Sequence, residues 1–253
     1  SNLNEKNNYY IYIWSNGNWN WQEVTWNESW GYYYDYFGTK QWESVTPKDS
    51  NSDNKRGHIQ FYSGEKKIAA LKNAVNGFIN NVAKQSPTSQ IALVKFAGDK
   101  PKNPNQAGDD FYSEDGYTYN YTQIVQNLTA ASDSQSLKNA VDALKPAGAT
   151  RADYGMELAK NIINSKGVAG NGRKKTVIMF TDGKPTSRSD FNVNVANAAI
   201  KNSKDMKTAD TTVYTIGVFE GADGMPGKDW NVTRPTTDVE RTNKYMHLVS
   251  SNY

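Results

Sequence analysis

The sequence predicts an α/β fold, a doubly wound and mostly parallel sheet flanked by helices, with an aromatic-rich β-hairpin insertion at its amino end. Three observations predict it. From Ser63 onward, apolar runs of strand length alternate with segments of helical periodicity. One of these runs, Val177-Ile178-Met179-Phe180, follows the basic Arg173-Lys174-Lys175 and reads as a fully buried strand. The opening of the chain is different in kind: six of the seven tryptophans lie between Trp14 and Trp42, among Tyr9, Tyr10, Tyr12, Tyr32, Tyr33, Tyr34 and Tyr36.

In that opening region Tyr10-Ile11-Tyr12-Ile13-Trp14 has strand propensity, and Ser15-Asn16-Gly17-Asn18 is a turn sequence. Trp19-Asn20-Trp21 and Val24-Thr25-Trp26 alternate as strands do, giving a hairpin or small meander. The polar stretch Thr46–Arg56 reads as a linker, so residues 1–56 form an aromatic arm or insertion and residues 57–253 the main domain. Ile68, Leu71, Val75, Phe78, Ile79 and Val82 then share one helical face, which starts near Ser63 or Gly64 and stops before Pro87. Ile91–Phe96 and Tyr121–Leu128 are strands, separated by a polar loop over Gly98–Tyr119. Helices follow over Leu137–Leu144, with Ser134 as a capping candidate, and over Thr150–Ile163. After the Val177–Phe180 strand come a helix over Phe191–Ser203, a strand over Val213–Phe219 and a helix over Asn243–Ser250.

Composition narrows the classes. Basic and acidic residues number 29 and 26, spread without a dense basic block, which argues against nucleic-acid binding. The absence of cysteine removes thiolate metal sites, thiol catalysis and disulfides. No apolar run is long enough to span a bilayer, and Ser1-Asn2-Leu3-Asn4 does not read as a signal peptide.

The chemistry concentrates in two places. Thr181-Asp182-Gly183 directly follows the apolar run, so Asp182 falls at the carboxyl end of a strand, where open parallel sheets bind ligands. Upstream, Gly148-Ala149-Thr150-Arg151-Ala152-Asp153 is a turn entering a helix. A hydroxyl from Thr150 and a carboxylate from Asp182 are hard oxygen donors suited to Mg2+, Mn2+ or Ca2+. Thr150 is also a candidate helix N-cap, and Asp153 suits the first turn of that helix without being a ligand. A phosphatase built on an Asp-x-Asp-Gly motif is excluded, because Phe180 occupies the nucleophile position. The two histidines, His58 and His247, have no accompanying serine elbow, so no enzymatic activity is expected.

The ordered set Lys67–Val75, Ile91–Phe96, Gly148–Asp153, Val177–Gly183 and Val213–Val218 resembles a von Willebrand factor A domain. The ending Asn243–Tyr253 is similar to the subset in Gram-positive surface proteins and pilus-tip adhesins. The resemblance implies a metal-ion-dependent adhesion site made from an Asp-x-Ser-x-Ser motif, a Thr and an Asp, with Thr150 and Asp182 matching the last two. It further implies adhesion at the bacterial cell surface, in cell wall or pilus, through an acidic group of a host or matrix protein, with other pilus subunits as further partners. Membrane contact is not implied.

No Asp-x-Ser-x-Ser occurs in the 253 residues. Either that motif and its strand lie upstream of Ser1, with the aromatic region inserted after them, or Tyr10–Trp14 supplies the strand. The second option puts Trp14, Asn16 and Asn18 at ligand positions, where tryptophan cannot coordinate magnesium. By the same resemblance the sequence is expected to be truncated at both ends. A rival reading makes Trp19, Trp21 and Trp26 a stacking platform for carbohydrate. Another makes the chain a structural pilus subunit without ligand, with Lys–Asn isopeptide crosslinks replacing disulfides.

Overall fold

The computed structural model describes residues 8–15, 18–27, 31–36, 39–43, 59–62, 67–102, 111–165, 172–219, 221–222 and 235–251. It divides into two compact units, Ser1–Ala69 and Ala70–Tyr253.

The first unit is one antiparallel sheet in the order β4-β3-β2-β1-β5. Its strands are β1 (Asn8–Ser15), β2 (Asn18–Asn27), β3 (Gly31–Tyr36), β4 (Thr39–Glu43) and β5 (Ile59–Tyr62). The expected meander is thus present as β1 to β4, and its register places Trp14 opposite Trp19, Tyr12 opposite Trp21 and Tyr32 opposite Trp26. Ser15 pairs with Asn18, and the Asn16-Gly17 turn between them lies outside the described residues, as do Thr46–Arg56 and His58. Segment 59–62 adds β5 to the sheet by pairing with β1.

The second unit is α/β. Helix α1 (Lys67–Gln85) leads to β6 (Gln90–Lys95), which pairs antiparallel with β9 (Gln123–Ala130). Between them β7 (Phe111–Glu114) and β8 (Tyr117–Asn120) form a hairpin where the sequence had suggested only loop. Its tip is Asp115-Gly116, both at positive φ (52° and 80°), the conformation that an Asp-Gly hairpin turn needs. After α2 (Ser134–Asp142) and α3 (Ala152–Ile163) comes β10 (Lys175–Thr181), joined through α4 (Val193–Thr208) to a parallel partner, β11 (Thr211–Gly217). Helix α5 (Asp238–Val249) completes the unit.

Two apolar clusters hold these layers. Met156 of α3, Met179 of β10, Val213 of β11, Ala199 and Met206 of α4, and Tyr245 and Val249 of α5 are buried together, with Phe96 and Val177 packed against them. Each fully buried side chain of this size stabilises by about 1.5–3 kcal/mol. The Tyr245 hydroxyl faces the Met179 sulfur at 3.6 Å, and burial pushes its pKa up, with the charge of Asp153 adding to the effect. A second cluster joins Ile79 of α1 to Leu137 and Val141 of α2, with Ile91 and Leu93 of β6 packed against it.

Helix ends differ from expectation in several places, among them α5, which begins at Asp238 and not at Asn243. Asp133, not Ser134, caps α2, accepting from the Ser136 N–H. Thr150 does not cap α3; Arg151 occupies that position without a side-chain capping bond, because Thr150 is held one residue earlier in a β-bridge. Helix α4 continues past Ser203 to Thr208, since Ser203 and Met206 are both buried. The Val177–Phe180 run also falls short of full burial: only Met179 reaches it, and Val177, Ile178 and Phe180 are half-buried. The reason is topological, as among the described strands β10 is paired on one edge, with β11.

Candidate functional site

Three loops of the second unit meet where β6 and β10 end: Phe96–Lys100, Gly148–Arg151 and Asp182–Thr186. Backbone bonds join them. The Arg151 N–H donates to the Ala97 carbonyl at 2.9 Å. Thr186 donates its N–H to the Thr150 carbonyl at 3.1 Å, while the Thr186 hydroxyl accepts the Thr150 N–H at 2.9 Å. Thr186, buried to 5% exposure, therefore fastens the Thr150 loop to the Asp182 loop. Gly148 makes the approach possible: its φ is 102°, and a Cβ there would lie 2.9 Å from Tyr119 Cδ1.

The turn after β10 is fixed by its own first residue. The Thr181 hydroxyl donates to the Gly183 carbonyl at 2.9 Å and accepts the Gly183 N–H at 3.3 Å. That local closure leaves Asp182 at the apex, exposed to solvent.

Nearby cations are already matched. Arg151 bonds both Asp153 oxygens, through Nε at 3.0 Å and Nη2 at 2.8 Å, reaches Asp99 at 2.6 Å and stacks on the Tyr154 ring at 3.7 Å. Partial burial by itself lowers the Arg151 pKa, but the hydrogen bonds and charges of Asp153 and Tyr154 outweigh it and raise the pKa above its ordinary value. Lys100 pairs with Glu157, Lys184 with Asp238 and Arg188 with Asp115. The Asp182 carboxylate and the Thr150 hydroxyl have no such commitment: neither bonds another described group.

Among the described residues no three acidic or histidine side chains gather as a metal-binding group. The chain therefore offers two hard oxygen donors on neighbouring loops. That set suits a magnesium-type ion, which keeps several waters and needs only one or two protein carboxylates. Asp153, on the first turn of α3 as expected, is engaged by Arg151 and is not available as a donor. The option that Tyr10–Trp14 supplies the strand of the site is overturned, because β1 is enclosed between β2 and β5, both antiparallel to it. Trp19, Trp21 and Trp26 all lie on β2 of the first unit. Thr186 and the Arg151–Asp99–Asp153 network were not foreseen; a hydroxyl four residues after Asp182 was the one visible sign of the former.

Residues 62–234 match the family described as von Willebrand factor type A domain. The chain belongs to that family. As a von Willebrand factor A domain it has the α/β fold described above, with its candidate site at the carboxyl end of a parallel strand. Among solved structures, it is similar to the pilus adhesin SpaC from Lactobacillus rhamnosus GG in the open conformation, at 16% identity and a TM-score of 0.48, over 73% of this chain and 24% of that one. A second SpaC crystal form gives 16% identity and a TM-score of 0.49, over 75% and 25%. An uncharacterized membrane spanning protein from Vibrio fischeri gives 19% identity and a TM-score of 0.25, over 76% of each chain. The domain thus spans about a quarter of the length of the SpaC chains. Among curated proteins none matches it. No helix among the described residues is long and apolar enough to cross a membrane.

Proposed function

We propose that this domain is a cell-adhesion module that binds a partner protein through a divalent cation, Mg2+ or else Mn2+ or Ca2+, held by Thr150 and Asp182. The observation that carries this reading is the bridge through Thr186, which joins the Thr150 and Asp182 loops, whose hydroxyl and carboxylate bond no described group, while Lys100, Arg151, Lys184 and Arg188 are paired. An unpaired acid among neutralised neighbours leaves a local negative potential that favours a cation. When bound, the ion supplies an electrophilic position for an acidic group of the partner. Thr186 holds Thr150 in place, the Thr181 turn presents Asp182, and Arg151 is kept from competing by Asp99 and Asp153. In the same reading the partner is a host or matrix protein and the setting is a bacterial cell wall or pilus.

The test uses Mn2+ as probe. Paramagnetic broadening of amide signals is expected at Thr150, Asp182 and Gly183, reversed by chelator and lost in Asp182→Ala. Broadening elsewhere, or unchanged in Asp182→Ala, removes the proposal. A carbohydrate-binding role for β2 is separated from it by glycan capture in the presence of chelator: capture that persists favours the tryptophans.

A further inference from the structure

Three places among the described residues put an aspartyl or asparaginyl side chain directly before glycine: Asn76-Gly77, Asp115-Gly116 and Asp182-Gly183. Such a pair is able to close on itself, because glycine has no Cβ to keep its nitrogen away from the preceding side-chain carbonyl carbon. The rate depends on how the fold holds the two reacting atoms, and the three pairs are held very differently.

Gly77 lies inside α1, where a backbone N–H bonds four residues back, and the Asn76 side chain donates from Nδ2 to Asp142 Oδ1 at 2.9 Å. Asp115 is restrained in backbone and side chain. Its φ of 52° belongs to a turn with the β7–β8 ladder on either side, and its carboxylate accepts from Arg188 Nη1 at 2.7 Å. Asp182 has neither restraint. Its carboxylate is exposed and bonds no described group, and the Gly183 N–H makes a long bond to the Thr181 hydroxyl, 3.3 Å, just beyond the usual range. Nothing stands within 4 Å of where a Gly183 Cβ would be, so the turn has room to move.

We propose that Asp182-Gly183 is a self-modification site, at which the chain converts Asp182 to isoaspartate through a cyclic imide. The Gly183 nitrogen bonds to Asp182 Cγ. The N–H proton, one carboxyl oxygen and a proton from solvent leave as water. A second water then opens the imide. Where it attacks the former backbone carbonyl, the chain runs on through the side-chain carbon and that carbonyl becomes the carboxylate. No oxidant, cofactor or second protein enters the balance. The product has one more methylene in the backbone and one fewer between backbone and carboxylate. Both bonds that close the turn on Thr181 then lose their register, and the acid is no longer presented at the apex. The resulting loss of a cation donor rests on the proposed metal site; the cyclisation itself does not.

The full chain is aged in neutral buffer with chelator, native and in guanidinium chloride, then digested with trypsin, and isoaspartate is located by electron-transfer fragmentation. In residues 176–188, the peptide that carries Asp182, the native rate is expected within roughly threefold of the unfolded rate, whereas folding should slow Asn76 by roughly tenfold or more, with Asp115 between them. Gly183→Ala, whose Cβ meets nothing, should slow the native rate roughly two- to fivefold, the equivalent of the backbone freedom it removes. No isoaspartate at Asp182 in the native chain, slowing by folding equal to that at Asn76, or an unchanged rate in Gly183→Ala overturns the proposal. Mg2+ in place of chelator separates it from the metal reading. Slower conversion at Asp182 alone supports both. Conversion indifferent to Mg2+ removes the cation and leaves the modification; Mn2+ binding without conversion in chelator does the reverse.

Discussion

Two loops meet at Thr150, and the molecule treats them in opposite ways. On the β6 side Asp99, Lys100 and Arg151 are all paired: Arg151 lies between Asp99 and Asp153 over the Tyr154 ring, with Lys100 against Glu157. On the β10 side a turn closed by Thr181 holds up an exposed acid that pairs with nothing described. The structural charges thus stand beside the candidate site and not in it, so stability and binding should separate under mutation.

The largest effect is expected from Arg151→Ala. Asp153 is 8% exposed, and removal of its bidentate partner leaves a buried charge uncompensated. Breaking one side of a buried pair costs about 3–5 kcal/mol. Arg151→Lys should recover only part of that, because an ammonium cannot reproduce the fork on Asp153. Urea unfolding measures both, and a loss below about 1 kcal/mol for Arg151→Ala would place this network with ordinary surface pairs.

Next comes Thr186→Val, which keeps the shape of the side chain and removes the acceptor of the Thr150 N–H. Leaving that partly buried donor unsatisfied costs about 1–3 kcal/mol. Unlike the Arg151 changes, it should also weaken Mn2+ binding, since it loosens the bridge between the two donor loops. Equal Mn2+ affinity in Thr186→Val and the wild type would show that the bridge does not position the site.

How far this contrast could be read in the sequence follows from what sets each part. The apolar run before Thr181-Asp182-Gly183 and the glycine turn before Thr150 are local signals, and they located both loops. Period-3.6 faces likewise gave the helices, with ends off by a few residues where tertiary burial extended them, as at Met206. The β7–β8 hairpin had its signal, Asp115-Gly116 between tyrosines, but a long polar stretch hid it. Burial of β10 was misjudged because an apolar run reports what a strand needs, whereas its actual cover depends on its neighbours, and among the described strands only β11 pairs with it. The Arg151–Asp99 pair joins residues 52 apart, and no local pattern carries such a contact.

The smallest effect on stability, and the sharpest on function, is expected at Asp182. Its side chain is exposed, makes no bond to a described group and sits in a turn whose geometry comes from Thr181 and Gly183. Asp182→Asn keeps the volume and the turn preference and removes only the charge. Surface changes of this kind stay within about 0.5 kcal/mol, so the urea midpoint should not move while Mn2+ broadening at Thr150 disappears. Combined with Thr186→Val, the stability losses should add, because Asp182 contributes nothing to the bridge that Thr186 makes. A clear loss of stability in Asp182→Asn would give this acid a structural partner and erase the difference between the two loops.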